Sequence, residues 1–170
     1  MDVVPAFCYG NGYRIPNSPD SWLLTHPQEH LEAVSELNRK KDFRFVPLVK
    51  MIKYWNWSHE YRLRGFFLEM WDLDIFQYAD LPSYPDGIYR FFDRGIAWID
   101  NNFSVYAPGS YVNLMDTFLG SPTRRSTTRS RFVSARDLAA KAIEANDQGD
   151  NAAAIAYWKR LFGEAFPAYG

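Results

Sequence analysis

The chain has 170 residues, 47% of them hydrophobic and 18% aromatic, enough for one domain with a substantial core and unlike a disordered or fibrous chain. Lysine and arginine (19) nearly balance aspartate and glutamate (20), so the net charge of -1 gives no overall pull toward nucleic acid or anionic membrane, and any polyanion site has to be a local patch. A single cysteine, Cys8, excludes an intramolecular disulfide, no apolar run reaches the roughly 18 to 20 residues of a membrane span, and no signal-peptide pattern opens the chain, so a cytoplasmic protein without membrane contact is expected.

The first element is a β-type run headed by an acid, Asp2-Val3-Val4-Pro5-Ala6-Phe7. That run and Tyr13 to Ile15 flank Tyr9-Gly10-Asn11-Gly12, which predicts two short strands joined by a tight turn. Pro16-Asn17-Ser18-Pro19-Asp20 is expected to end any strand. Beyond it the pattern is helical. Thr25 is the expected cap of a helix running to about Lys40, with Pro27 in the first turn, Gln28 closing a capping box, and Leu31, Val34 and Leu37 on one face. A second helix, at about 45–57, should bury Leu48, Val49, Ile52 and Trp55. Further helices are predicted at 64–79, 86–102, 124–147 and 151–162, with a looser connector carrying Asp116 and Phe118. The glycine stop and aspartate cap in Asn146-Asp147-Gln148-Gly149-Asp150 predict a helical hairpin. In it, Ala139, Ala142 and Ala145 should face Ala152, Ala153 and Ala156, with Ile155, Trp158 and Phe162 as anchors. The fold class is therefore mainly α, with a short antiparallel β-hairpin in front.

Several polar groupings read as ordinary surface. Asp72-Leu73-Asp74 is the only Asp-x-Asp, and it lies in a helical stretch where positions two apart do not share a face, so both are expected as surface acids. His26 and His30 have i, i+4 spacing, but Pro27 between them and the lack of a nearby cysteine or third histidine argue against zinc. Nothing at ligand spacing makes Cys8 and His59 a nucleophile pair. The one local basic concentration runs from Arg124 and Arg125 through Arg129 and Arg131 to Arg136. Within it, Arg125, Arg129 and Arg136 share a helix face that either contacts phosphate or an RNA activator or is simply solvated.

Three motifs, in chain order, carry a resemblance. Asp2 followed by Val-Val-Pro-Ala-Phe, then Pro47-Leu48-Val49-Lys50-Met51-Ile52-Lys53-Tyr54-Trp55-Asn56, then Arg64-Gly65-Phe66-Phe67-Leu68-Glu69 resemble the cGAS/DncV-like and oligoadenylate synthase-like nucleotidyltransferases. The ending from Trp158 to Pro167 is similar to that of bacterial members that make cyclic oligonucleotides in antiphage defence. The resemblance implies that residues 1–18 are a remnant of the catalytic palm and residues 19–170 a helical C-terminal lobe that closes over nucleotide. It implies that Asp2 is the third metal-binding carboxylate, a ligand of Mg²⁺ or Mn²⁺. It places Lys53 on the donor triphosphate, with Lys50 one turn earlier, and Phe66 stacked on the donor base. Gly65 departs from the pattern, standing where the family has a serine that touches the triphosphate.

The implied activity joins nucleoside triphosphates into a cyclic or short oligonucleotide messenger, with an RNA or protein activator as further partner. The family's Gly-Ser turn and its strand-borne Asp-x-Asp should precede Asp2, but both Gly-Ser dipeptides here, Gly109-Ser110 and Gly120-Ser121, follow it. These residues alone are therefore expected to be the inactive C-terminal portion of such an enzyme, needing the catalytic half as a partner. The alternative is a non-catalytic helical module that binds nucleotide or another protein.

Overall fold

The computed structural model describes residues 5–10, 12–18, 21–61 and 63–167. Asp2, with Val3 and Val4 of the expected first strand, lies outside the described residues. A small antiparallel sheet leads into a helical body: β1 (Phe7–Tyr9), β2 (Gly12–Ser18) and β3 (Ser21–Thr25), then α1 (Pro27–Lys40), α2 (Phe45–Ser58), α3 (Gly65–Phe76), α4 (Tyr84–Asp100), α5 (Leu114–Leu119), α6 (Pro122–Asp147) and α7 (Asn151–Phe162). The mainly α class with a hairpin in front is what is observed.

The sheet order is β1-β2-β3, with Phe7 opposite Arg14 and Tyr13 opposite Thr25. The expected stop at residues 16–20 is therefore corrected. β2 continues to Ser18 through a register shift between Pro16 and Ser18, and Ser21–Thr25 returns beside it as a third strand. Thr25 belongs to that strand and caps nothing; His26 holds the N-cap position of α1 without a side-chain cap bond. The His26 ring fits so closely between β2 and the connector that a Cβ at Gly12 would lie 2.8 Å from its Cε1 and one at Gly109 2.6 Å from its Cγ. This packing joins sheet to helices.

Burial follows the helical period where a helix has one polar side. In α4, capped by the Ser83 hydroxyl accepting from the Asp86 N–H at 3.2 Å, Ile88, Phe91, Phe92, Gly95, Ile96 and Ile99 all face inward. In α1, Val34 and Leu37 are buried but Leu31 is exposed, so the inward stripe is shorter than expected. α3 is buried on almost every side and forms the centre of the body. The aromatic core gathers around Phe132 of α6, whose ring lies 5.0 to 5.7 Å from those of Trp55, Trp71, Phe91 and Phe92. Gly95 permits this approach, because a Cβ there would sit 2.4 Å from the Phe132 Cε2.

The α6–α7 hairpin closes as expected. Gly149 takes φ 80, the Asp150 N–H reaches the Ala145 carbonyl at 2.8 Å, and the Asp150 carboxylate accepts from the Ala153 N–H at 2.9 Å. Phe162 is buried as expected of an anchor, but the rest of the inner face on α7 differs: Ala154 and Leu161 are buried, whereas Ala152 and Ala156 are exposed. α5 was not predicted as a helix; it starts where Asn113 accepts from the Met115 N–H at 3.1 Å.

Candidate functional site

The helices bring Lys53, Gly65 and Phe66 together. Lys53 lies on α2, and its Cε would be 3.6 Å from a Cβ at Gly65, the first residue of α3. Phe66, 44% exposed, makes a T-shaped contact with His30 of α1, the ring centroids 5.3 Å apart. An aromatic face that remains accessible on the surface is available for stacking.

What fixes this geometry is Asn56. Its side chain is almost fully buried and grips the chain just before α3 twice, donating to the Leu63 carbonyl at 2.9 Å and accepting from the Leu63 N–H at 3.1 Å. The α2–α3 connection is thereby clipped back onto α2. Trp55 beside it is a core residue, 1% exposed. The Tyr54-Trp55-Asn56 end of the lysine helix thus serves architecture: one side chain anchors the helix and the next positions the start of α3.

Glu69, one turn into α3, accepts a charge-assisted hydrogen bond from the Lys53 ammonium. On its other oxygen lies His30 Nε2 at 3.4 Å, an electrostatic contact rather than a well-aligned hydrogen bond. The contact with His30 and then Lys53 draw the Glu69 carboxyl down to about 2, against partial burial, which acts the other way. In the sequence Glu69 stands as the end of a motif, and nothing there points to His30. The i, i+4 spacing of the histidines pointed to each other, whereas the structure sends His26 to Glu29, at 3.2 Å, and His30 to Glu69.

Asp72, three residues beyond Glu69, overturns the expectation of a surface acid. It is 0% exposed and neither carboxylate oxygen has a hydrogen-bond partner among the described residues. Burial pushes its carboxyl well above the ordinary range; the nearby Lys53 charge opposes this and Glu69 adds to it. Asp74 is also drawn inward, and burial raises it to about 6 despite bonds from the Tyr106 backbone and Gln77. The missed signal was the company Asp72 keeps: Phe67, Leu68, Met70, Trp71, Leu73 and Ile75 leave α3 no polar side on which to place it.

Lys50 points elsewhere. It lines an apolar groove of about 750 Å³ with Met51, Tyr54, Trp158 and Phe162. The arginine face is a surface of ion pairs. Arg125 is bound to Asp116 at 2.8 Å, Arg129 bidentately to Asp100 at 2.6 and 2.8 Å, and Arg136 to Asp137 at 2.8 Å, so all three charges are neutralised within the chain. Among the described residues no group of three His, Cys, Asp or Glu is placed to hold a metal ion, and no helix is long and apolar enough to cross a membrane.

No protein-family profile matches the chain. The chain is 31% identical to a cyclic AMP-AMP-AMP synthase of Acinetobacter sp., an alignment covering 98% of this chain and 50% of that protein. It is 27% identical to a probable cyclic nucleotide synthase of Bacillus cereus, covering 99% of this chain and 52% of the relative. The chain thus spans about half the length of the curated relatives it matches. Among solved structures it superposes on Escherichia coli CdnC with ATP at a TM-score of 0.76 and 18% identity, over 96% of this chain and 59% of that one. The CdnC complex with a HORMA protein gives 0.73 and 16%, over 95% and 57%.

Proposed function

We propose that this chain, which shares its fold with a little over half of CdnC, is the nucleotide-closing helical lobe of a cGAS/DncV-like nucleotidyltransferase that joins nucleoside triphosphates into a cyclic or short oligonucleotide messenger. The observation that carries this reading is the convergence of Lys53, Gly65 and Phe66 at a start of α3 that Asn56 clamps in place. Relatives named as cyclic nucleotide synthases and a neighbour solved with ATP support the substrate class. The neighbour solved with a HORMA protein supports a protein partner or activator. The setting is cytoplasmic antiphage defence. Residues 1–18 belong to the palm and 19–170 to the lobe.

In this reading the donor triphosphate lies against Lys53, and its base stacks on Phe66. The ammonium has three N–H donors, so it keeps Glu69 while adding a phosphate oxygen. Glu69, held ionised by His30 and Lys53, holds the lysine ammonium beside the start of α3. Gly65 offers only its backbone where a serine hydroxyl would donate.

Two Mg²⁺ or Mn²⁺ ions, which would activate the attacking hydroxyl and offset charge on the leaving pyrophosphate, require several carboxylates. The described residues do not supply such a set. Asp2 is the one acid the reading assigns, and no Gly-Ser and Asp-x-Asp pair stands before it in these 170 residues.

The test has two parts. The 170 residues alone, given labelled nucleoside triphosphates and Mg²⁺ or Mn²⁺, should yield no oligonucleotide; turnover abolished by Asp2→Ala would overturn that. In an enzyme completed with the catalytic half, Lys53→Ala should weaken apparent donor affinity about 10- to 100-fold, the worth of one charge-assisted contact. Unchanged affinity would remove Lys53 from the site and favour a module that does not catalyse.

A further inference from the structure

The pairing of arginines on α6 divides them into two groups. Arg125, Arg129 and Arg136 are spent on acids, whereas Arg124 and Arg131 line a different surface, a cleft of about 610 Å³ where the start of α6 meets α5 and the segment before α3. Among the described residues Arg64 adds to its basic lining, and no aspartate or glutamate lines it. The side chains of Arg64 and Arg124 make no ion pair or hydrogen bond among the described residues, and Arg131 is held in place by stacking 4.2 Å above the Tyr61 ring and donating to the Tyr61 carbonyl at 3.3 Å.

A second observation is independent of charge. Thr128 also lines the cleft, is only 3% exposed, and its hydroxyl has no hydrogen-bond partner among the described residues. That hydroxyl is not sealed from solvent, so it is available as a donor to a ligand in the cleft. Thr123 and Thr127 add two more hydroxyls to the same wall.

We infer that this cleft is a second anion site, which takes the phosphate groups of a nucleotide between Arg64, Arg124 and Arg131, with Thr128 as an additional donor. Guanidinium forks match phosphate oxygens in pairs. The volume lies in the range of small-ligand sites, and Tyr61 and Phe118 supply its apolar part. The cleft begins at Arg64, next to Gly65, but Lys53, Phe66 and Glu69 do not line it. The inference therefore does not depend on the donor site. The phosphate comes either from a free nucleotide or from the backbone of a nucleic-acid strand.

The experiment titrates the 170-residue chain with pyrophosphate, ATP and a short single-stranded oligonucleotide by calorimetry, for Arg64→Gln, Arg124→Gln, Thr128→Val and Lys53→Ala. Lys141→Gln on the exposed side of α6 controls for net charge. Each arginine change should weaken binding about 10-fold or more and Thr128→Val a few-fold, the scale of one charge-assisted and one neutral hydrogen bond, with Lys141→Gln unaffected. Loss for pyrophosphate and ATP identifies a free nucleotide as the source; loss confined to the oligonucleotide identifies a strand backbone. Affinities for all three probes within about twofold of the parent in both arginine variants would overturn the inference. So would binding that only Lys53→Ala reduces, an outcome that leaves the donor site standing alone.

Discussion

Replacing Asp72 by asparagine keeps the side-chain shape and removes its ability to ionise, so the change isolates the electrostatic cost of the one fully buried acid among the described residues. Burial raises the folded-state pKa of Asp72 well above that of an unfolded aspartate. Below the unfolded pKa, near 4, both states are protonated and the group costs nothing. As pH rises past that value the unfolded chain releases the proton and the folded one retains it, so the folded state loses about 1.4 kcal/mol per pH unit until its own pKa is reached. Over the pH range above about 4 in which the folded carboxyl keeps its proton, Asp72→Asn removes this loss. Urea unfolding followed by tryptophan fluorescence at pH 5, 6 and 7 measures it. The parent should lose stability relative to the variant at each step upward. A difference independent of pH would refute the burial of an unpaired acid beside Trp71.

Glu69 titrates in the opposite sense: its folded pKa of about 2 lies below the unfolded value, so its contribution is complete above about 4.5 and is lost as pH falls toward 2, and Glu69→Gln should flatten the acid limb of the stability curve. Gly95→Ala should cost about 1–3 kcal/mol in thermal or urea unfolding, because its Cβ runs into the Phe132 ring. In a Phe132→Leu background the same change should cost less, and full additivity would show that the two do not touch. Asn56→Ala, which removes both clamps on Leu63, should cost about 1–3 kcal/mol and speed hydrogen exchange in the segment leading to α3 while leaving α6 protected. Gly65→Ser should fold normally, since its Cβ would meet only Lys53 Cε at 3.6 Å, and in the completed enzyme should tighten donor binding by about 0.5–1.5 kcal/mol; weaker binding would mean that the glycine is a fitted part of the pocket.

Periodicity and caps made most of the helices legible in the sequence. α4 carries an apolar stripe repeating every three to four residues, and Gly149-Asp150 punctuates the α6–α7 hairpin, because these signals act over a few bonds and need no distant partner. The motifs also singled out Lys53, Gly65 and Phe66 as candidates, and the fold places Lys53 beside Gly65. The third strand was not legible, because Ser21-Trp22-Leu23-Leu24-Thr25 is too short to show a period of its own and becomes a strand only by pairing with β2. Nor was the fate of the charges. An aspartate on a helix is read as solvated until every face of that helix is covered, as happens to Asp72, and Glu69 meets His30 and Lys53 only through the packing of α1, α2 and α3. Tertiary structure likewise decided which arginines are neutralised by Asp100, Asp116 and Asp137 and which remain free around a cleft, because ion pairs depend on distance in space, whereas the sequence records only their spacing along one helix.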